Sequence, residues 1–211
     1  MSSENPTHGE LLGRCYFTNQ TKKIPVKIIP QERYTILEDY SWKQYNPKDS
    51  EEINEGLKLH ISSPQKFDKL FNAIVTSYLI GKNAYFKHIK NEDAWKSLDG
   101  TQKGKAFTVY TRNIKEATLI GKDLYHMIEF LSKSGVNFTE IGNSTELKYR
   151  GSKYITGRPA NYDGHDFKSY SDSSLRKNVK HQEQIVKKLL KSFKKEMPID
   201  DKKVFNYYWK Q

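Results

Sequence analysis

The sequence predicts an α+β fold, a mostly antiparallel sheet with helices packed on one face. Three observations carry that expectation. Residues 57–61, LKLHI, alternate apolar and polar as a half-buried strand does. Two longer stretches, 67–78 and 117–131, repeat apolar residues at helical spacing. The elements run strand, helix, strand, strand, helix, strand, helix, without the regular strand–helix alternation of a parallel sheet.

The elements follow in order. Residues 1–50 mix Pro6, Pro25, Pro30 and Pro47 with short apolar pieces and read as an N-terminal extension with one or two short strands. Within it KKIPVKII, residues 22–29, has the basic and apolar character of a partner-docking segment, a pattern common in other contexts. After the 57–61 strand, Ser63-Pro64 offers an N-cap and first helical position. Phe67, Leu70, Phe71, Ile74, Val75 and Tyr78 then form a helical face that stops at Gly81. AYFKHI, 84–89, is a short strand, and EDAWKSLDGTQKGK reads as a loop with one helical turn. KAFTVYT, 105–111, is the clearest strand in the chain. Asn113 and Glu116 make a capping box for a helix through Ala117, Ile120, Leu124, Ile128 and Leu131, with Gly135 as its stop. ELKYRG is a further strand, SKYITGRPANYDG is turn-rich, and Leu175 to Phe193 forms a final basic amphipathic helix. The expected organisation is an extension over 1–50, a core over 51–168 and a C-terminal helix over 169–211.

Composition narrows the function classes. The chain has 211 residues, 36% hydrophobic and 29% charged, enough to bury a core. No apolar run is long enough to span a membrane, and no ordinary signal peptide is visible. Cys15 is the only cysteine, which excludes an internal disulfide and a Cys-rich zinc site. The net charge of +11 is concentrated late, in LRKNVKHQEQIVKKLLKSFKKEM. Such charge fits a solvated helix face, a nucleic-acid or membrane surface, or a site for phosphate-bearing substrates. The aromatics are not interleaved as stacking platforms, which counts against nucleic acid.

The strands share an unusual feature. Lys58 and His60 fall on the same side of one strand, although two potential cations repel. Either that face is solvent and the charges are idle, or something anionic sits there. Lys87 follows Phe86 in the next strand, Tyr110 ends the best strand after Lys103 and Lys105, and Arg150 and Arg158 flank the turn-rich stretch. Taken singly, His60 and Tyr110 fit structural roles and the arginines fit surface ion pairs. Converging on the open face of the sheet they would make a phosphate site, since guanidinium matches phosphate oxygens. No His-Glu-x-x-His or paired-carboxylate pattern is present, so no metal or other cofactor is expected.

GLKLHIS, YFK, GKAFTVY, a helix and KYRGSKYITGR, in that order, resemble the phosphothreonine lyase family. It includes bacterial effector lyases and the lyase domains of class III and class IV lanthipeptide synthetases. The resemblance runs from about Trp42 to Gly164 and implies a stand-alone lyase that eliminates phosphate from phosphoserine or phosphothreonine. It implies Lys87 as the base, its pKa lowered by burial beside Lys58 and an arginine, and His60 as the general acid. Lys58 and Tyr110 are then placed near the reacting group, and Arg150 and Arg158 on phosphate. Effector relatives carry an arginine before the FTVY-like strand. Here Gly100 stands near that place, with Lys103 and Lys105 as candidate replacements that lack its planar fork.

The implied partners are a phosphorylated peptide or protein and a separate Ser/Thr kinase, with no membrane. Two settings fit: ribosomal-peptide maturation in a bacterial cytoplasm, and an effector secreted into a host cell without a cleaved signal. A phosphopeptide-binding module without chemistry is the reading from a different class.

Overall fold

The computed structural model describes residues 33–38, 40–49, 57–66, 68–142, 146–159, 190–191, 193–195 and 197–210. The docking segment read at 22–29, Phe67, and all of the basic helix before Leu190 lie outside the described residues. The elements are β1 (Tyr34–Glu38), β2 (Trp42–Pro47), β3 (Leu57–Ile61), α1 (Lys69–Gly81), β4 (Tyr85–Ile89), α2 (Glu92–Lys96) and β5 (Phe107–Tyr110). They continue with α3 (Ile114–Lys133), β6 (Leu147–Tyr149), β7 (Ile155–Pro159), α4 (Ile199–Tyr208) and β8 (Trp209–Lys210). The strands form one eight-stranded sheet in the order β1-β2-β4-β5-β3-β7-β6-β8. Every pairing is antiparallel. The α+β expectation holds. β1 and β2 extend the sheet through β4, upstream of the core expected from residue 51. Among the described residues no helix is long and apolar enough to cross a membrane.

Alternation explains why the sheet has two unlike faces. Leu57, Leu59, Ile61, Phe86, Phe107, Val109, Leu147, Tyr149 and Ile155 are buried and point to one side. There they join Phe71, Ile74, Val75 and Leu79 of α1 and Ile120, Leu124 and Ile128 of α3 in one core. Lys58, His60, Tyr85, Lys87, Thr108, Tyr110, Thr156 and Arg158 take the other side.

The helix starts differ in detail from expectation. Ser63 to Gln65 stays extended against 137–139, with Thr139 N donating to Ser63 O (3.1 Å) and Gln65 N to Asn137 O (2.8 Å). Helix α1 therefore begins later, where Asp68 accepts from Leu70 N (2.8 Å) and Phe71 N (3.1 Å). Gly81 is the last helical residue, and Asn83 takes the left-handed turn at φ 53°. At α3, Asn113 accepts from Glu116 N (2.9 Å), while the Glu116 carboxylate reaches back to Arg112 N (2.6 Å). Gly135, at φ 90°, closes that helix as expected.

Two elements differ more. ITGRP, within the turn-rich stretch, is strand β7, paired along its length with β3. Gly157 reads as a turn residue, but it sits where Trp209 and Leu59 crowd the backbone. A Cβ there would lie 3.0 Å from the Trp209 ring and 3.2 Å from Leu59. The C-terminal segment is also more structured than expected: α4 leads into β8, and Trp209 Nε1 donates to Thr118 Oγ1 on α3 (3.3 Å). Of the expected basic helix, Leu190 and Phe193 fall among the described residues, and Phe193 packs near Phe205 of α4.

Candidate active site

Strand β3 lies between β5 and β7, so each of its polar side chains has a cross-strand neighbour on both sides. Lys58 is paired with Tyr110 and with Arg158. Tyr110 is in turn paired with Tyr85. One residue pair along, His60 faces Thr108 and Thr156, and Thr108 faces Lys87. Directly opposed residues share a face, with Cβ atoms about 4.5–5.5 Å apart. Two adjacent rows therefore gather Lys58, His60, Lys87, Tyr110 and Arg158 on the polar face. Aromatic rings frame them. The Lys58 ammonium lies 5.2 Å from the Tyr110 ring centroid and the Lys87 ammonium 4.4 Å from that of Trp42. Tyr85 stacks on Tyr110 at 4.5 Å, and its hydroxyl accepts from Gln44 Nε2 (2.9 Å). Lys148, opposite Thr156, adds a further cation to the face.

The floor of this cluster is a buried carboxylate that sequence reading passed over. Glu146 Oε1 accepts from Lys105 Nζ (2.7 Å). Its Oε2 accepts from Thr156 Oγ1 (2.5 Å) and lies 2.7 Å from His60 Nδ1. His60 and Lys105 are each 2% exposed and Glu146 1%. Glu146 precedes β6 in ELKY, where it alternates with core-facing Leu147 and Tyr149. That parity was the available signal.

Charge and burial set the protonation states. Burial first, then Arg158, Lys87 and Lys105, lower the Lys58 amine to about 7. Burial also lowers His60, against the attraction of Glu146, and lowers Lys105. Burial opposes ionisation of Glu146, but His60 and Lys105 overcome it and hold the carboxyl well below its usual range. Burial and Tyr85 raise Tyr110 to about 12, so it remains a phenol and a donor.

Three residues that the resemblance places on phosphate stand elsewhere or are engaged. Arg150 lies in the β6–β7 turn at φ 48°, its guanidinium 5.6 Å from the Tyr125 ring centroid on the helix side. Lys103 is exposed and lines a separate cleft of about 840 Å³ with Gln65, Asn137 and Tyr154. Lys105 reaches the cluster, but as the ion-pair partner of Glu146. Among the described residues no group of three or more His, Cys, Asp or Glu side chains is arranged to hold a metal ion.

The model of the family described as RamC, N-terminal domain, matches residues 25–154, more than half of the chain. The chain belongs to the RamC N-terminal domain family. Lys58, His60, Lys87, Tyr110, Lys105 and Glu146 fall inside the span matched to this RamC domain, and Thr156 and Arg158 lie just beyond it. No curated protein matches the sequence. Among solved structures, the type III effector/phosphothreonine lyase OspF from Shigella flexneri is similar at 13% identity and a TM-score of 0.45, over 75% of this chain and 78% of that one. The Salmonella plasmid virulence C protein (SpvC), solved as a mutant, is similar at 14% identity and a TM-score of 0.42, over 84% of this chain and 99% of that one.

Proposed function

We propose that this chain is a lyase that removes phosphate from phosphoserine or phosphothreonine in a peptide by β-elimination, leaving dehydroalanine or dehydrobutyrine. The observation that carries the reading is the pair of adjacent cross-strand rows that set Lys58, Arg158 and Lys87 around His60 on one sheet face. A phosphate dianion suits such a face, and Arg158 supplies the planar fork for its oxygens.

The roles follow from chemistry and from the sequence resemblance. Lys87 takes the proton from Cα. The Cα–H electrons form the double bond to Cβ, and the Cβ–O bond breaks. His60 gives its proton to the departing oxygen, so hydrogen phosphate leaves. Lys58 and Arg158 offset charge that grows on the phosphate and on the adjacent carbonyl oxygen, and the Tyr110 hydroxyl donates beside them. Acid, base and phosphate contacts are all side chains in this reading. The substrate it fits is a ribosomal peptide already phosphorylated by a separate kinase.

The test is mass spectrometry of a phosphothreonine peptide incubated with the protein in EDTA, beside Lys87→Ala. A product one water lighter than the dephosphorylated peptide, absent with the variant, is the expected result. The plain dephosphorylated peptide would mean hydrolysis and would sink the reading. Binding without conversion would favour the phosphopeptide-binding module instead.

A further inference from the structure

We infer that Glu146 is the positioning residue of this site: it fixes His60 in the form protonated at Nδ1, so that Nε2 is the atom that exchanges protons with substrate. The inference deepens the elimination reading and rests on it for the reaction, but the ring's protonation pattern can be read without turnover.

The carboxylate decides which ring nitrogen carries the hydrogen. Lys105 Nζ can only donate, and it lies 2.7 Å from Oε1 with both side chains almost fully buried. A buried ammonium facing a neutral carboxyl is costly, so Glu146 is ionised and accepts only. The Thr156 hydroxyl donates to Oε2 (2.5 Å). Nδ1 of His60, 2.7 Å from the same oxygen, must therefore carry the hydrogen. The acid-base atom of the ring is then Nε2, on the opposite edge of the imidazole.

The surrounding charges set when Nε2 is protonated. The groups bearing on His60 are Glu146 before β6, Lys105 before β5, Arg158 on β7, and Lys58 and Lys87 on β3 and β4. Lys105 cancels the charge of Glu146, so no net negative charge remains to hold imidazolium in the free protein. An arriving phosphate dianion supplies that charge and draws a proton onto Nε2. The acid is thus loaded by its own substrate. A carboxylate that served the fold alone would not need a histidine on the oxygen that Thr156 already satisfies.

The experiment is NMR of the full chain labelled at histidine, reading the two ring nitrogens of His60, with His60→Gln to assign the signals. It is run on the unmutated protein and on Glu146→Gln, alongside the pH profile of kcat and KM on a phosphothreonine peptide. The expected result is Nδ1–H with bare Nε2 in the free protein, and a shift toward Nε2–H in Glu146→Gln. With it, kcat falls by about 10²–10⁴-fold, the span of general acid catalysis, KM changes little, and Glu146→Asp recovers part of the loss. If Glu146→Gln folds poorly because Lys105 has lost its partner, Glu146→Gln with Lys105→Met removes both charges together. An Nε2–H ring in the unmutated protein would overturn the inference. So would a variant with unchanged ring signals and an unchanged pH profile, the outcome of a purely structural carboxylate. If no elimination is seen at all, the function proposed above fails, and the ring signals still decide the place of Glu146.

Discussion

His60 Nδ1 lies 2.7 Å from Glu146 Oε2, and both side chains are almost fully buried. This relationship answers the question posed by GLKLHIS, where a lysine and a histidine share one side of a strand. His60 has a carboxylate of the protein's own beside it. Lys58 is relieved differently: burial and neighbouring cations disfavour its ammonium, so the two groups need not both be charged. The free site is poised with fewer charges than its cations suggest, and a dianion completes it.

That poise predicts proton uptake on binding. Lys58 stands at about 7 in the free protein, and a bound dianion raises it. Below pH 7 the ammonium is already present. Above pH 7 it must be acquired, so affinity falls, by up to about tenfold per pH unit for one proton. At the acid side the ligand loses its own second charge near about pH 6. Calorimetry of a non-eliminating phosphopeptide mimic at pH 8, in two buffers of different ionisation enthalpy, on the unmutated protein and on Lys58→Met, separates the proton taken up by Lys58 from the one drawn onto His60. Equal proton uptake in the protein and in Lys58→Met would remove Lys58 from the phosphate contact.

The same residue predicts a trade of stability for function. Lys58→Met keeps the volume and removes an amine that the fold holds among like charges. The native pKa lies below the unfolded one, so the unfolded chain binds the extra proton between them and ammonium formation weakens the fold as pH falls. The variant's advantage is therefore full at and below pH 7 and fades toward the ordinary lysine pKa of 10.5. We expect about 1 kcal/mol or more of added stability at pH 7, a Tm rise of about 2–4 °C, and loss of elimination. A lower Tm at pH 7 would contradict the sign.

Glu146→Ala is expected to do the opposite. It leaves Lys105 and the Thr156 hydroxyl buried without their acceptor and opens space beneath His60. Breaking a buried pair on one side costs about 3–5 kcal/mol, read as a lower urea midpoint at unchanged slope. Lys105→Met in the Glu146→Ala background should recover part of that loss, because the stranded charge goes with it.

What the sequence made legible follows from periodicity. Alternation in LKLHI and FTVY separates a wholly apolar side from a side that bears Lys58, His60 and Tyr110; in YFKHI the buried His88 shares the core side with Phe86 and Lys87 takes the other, and the strand pairing is what brings the four onto one face. Arg158 was placed near the site by resemblance, though its strand was read as turn: Gly157 and Pro159 carry turn chemistry, and the close approach of Trp209 that demands a glycine is a tertiary fact. Glu146 is not legible because its partners Lys105, His60 and Thr156 come from other strands or their approaches, so the buried pair is a tertiary fact. Arg150 follows Tyr149 in a turn that breaks the alternation, and its guanidinium lies 5.6 Å from the Tyr125 ring centroid.

The two arginines therefore separate in a direct comparison. Arg158 stands opposite Lys58 in the row, whereas Arg150 covers an aromatic ring of α3. Arg158→Ala is expected to lower kcat/KM by about 100-fold or more, the equivalent of roughly 3 kcal/mol. Arg150→Ala is expected to cost less than tenfold and to act through stability. Equal losses in steady-state kinetics would mean that the turn moves to bring Arg150 onto the substrate.

Gly157 links the core to the site, because it sits in β7 between Thr156 and Arg158. Its α-hydrogens face the Trp209 ring and Leu59, and an added methyl would meet them at 3.0 and 3.2 Å. Trp209 is held by its bond to Thr118 and its edge contact with Tyr149 at 5.1 Å, so the ring yields little. Gly157→Ala should cost about 1–3 kcal/mol as overpacking. Because the strand must shift to absorb the methyl, it should also lower kcat more than a distant destabilising variant of equal Tm. Trp209→Leu in the same chain makes room, so the double variant should be more stable than the sum of the single losses, by about 0.5–3 kcal/mol of coupling. Strict additivity in that cycle would show that the close approach of Trp209 to Gly157 does not constrain β7.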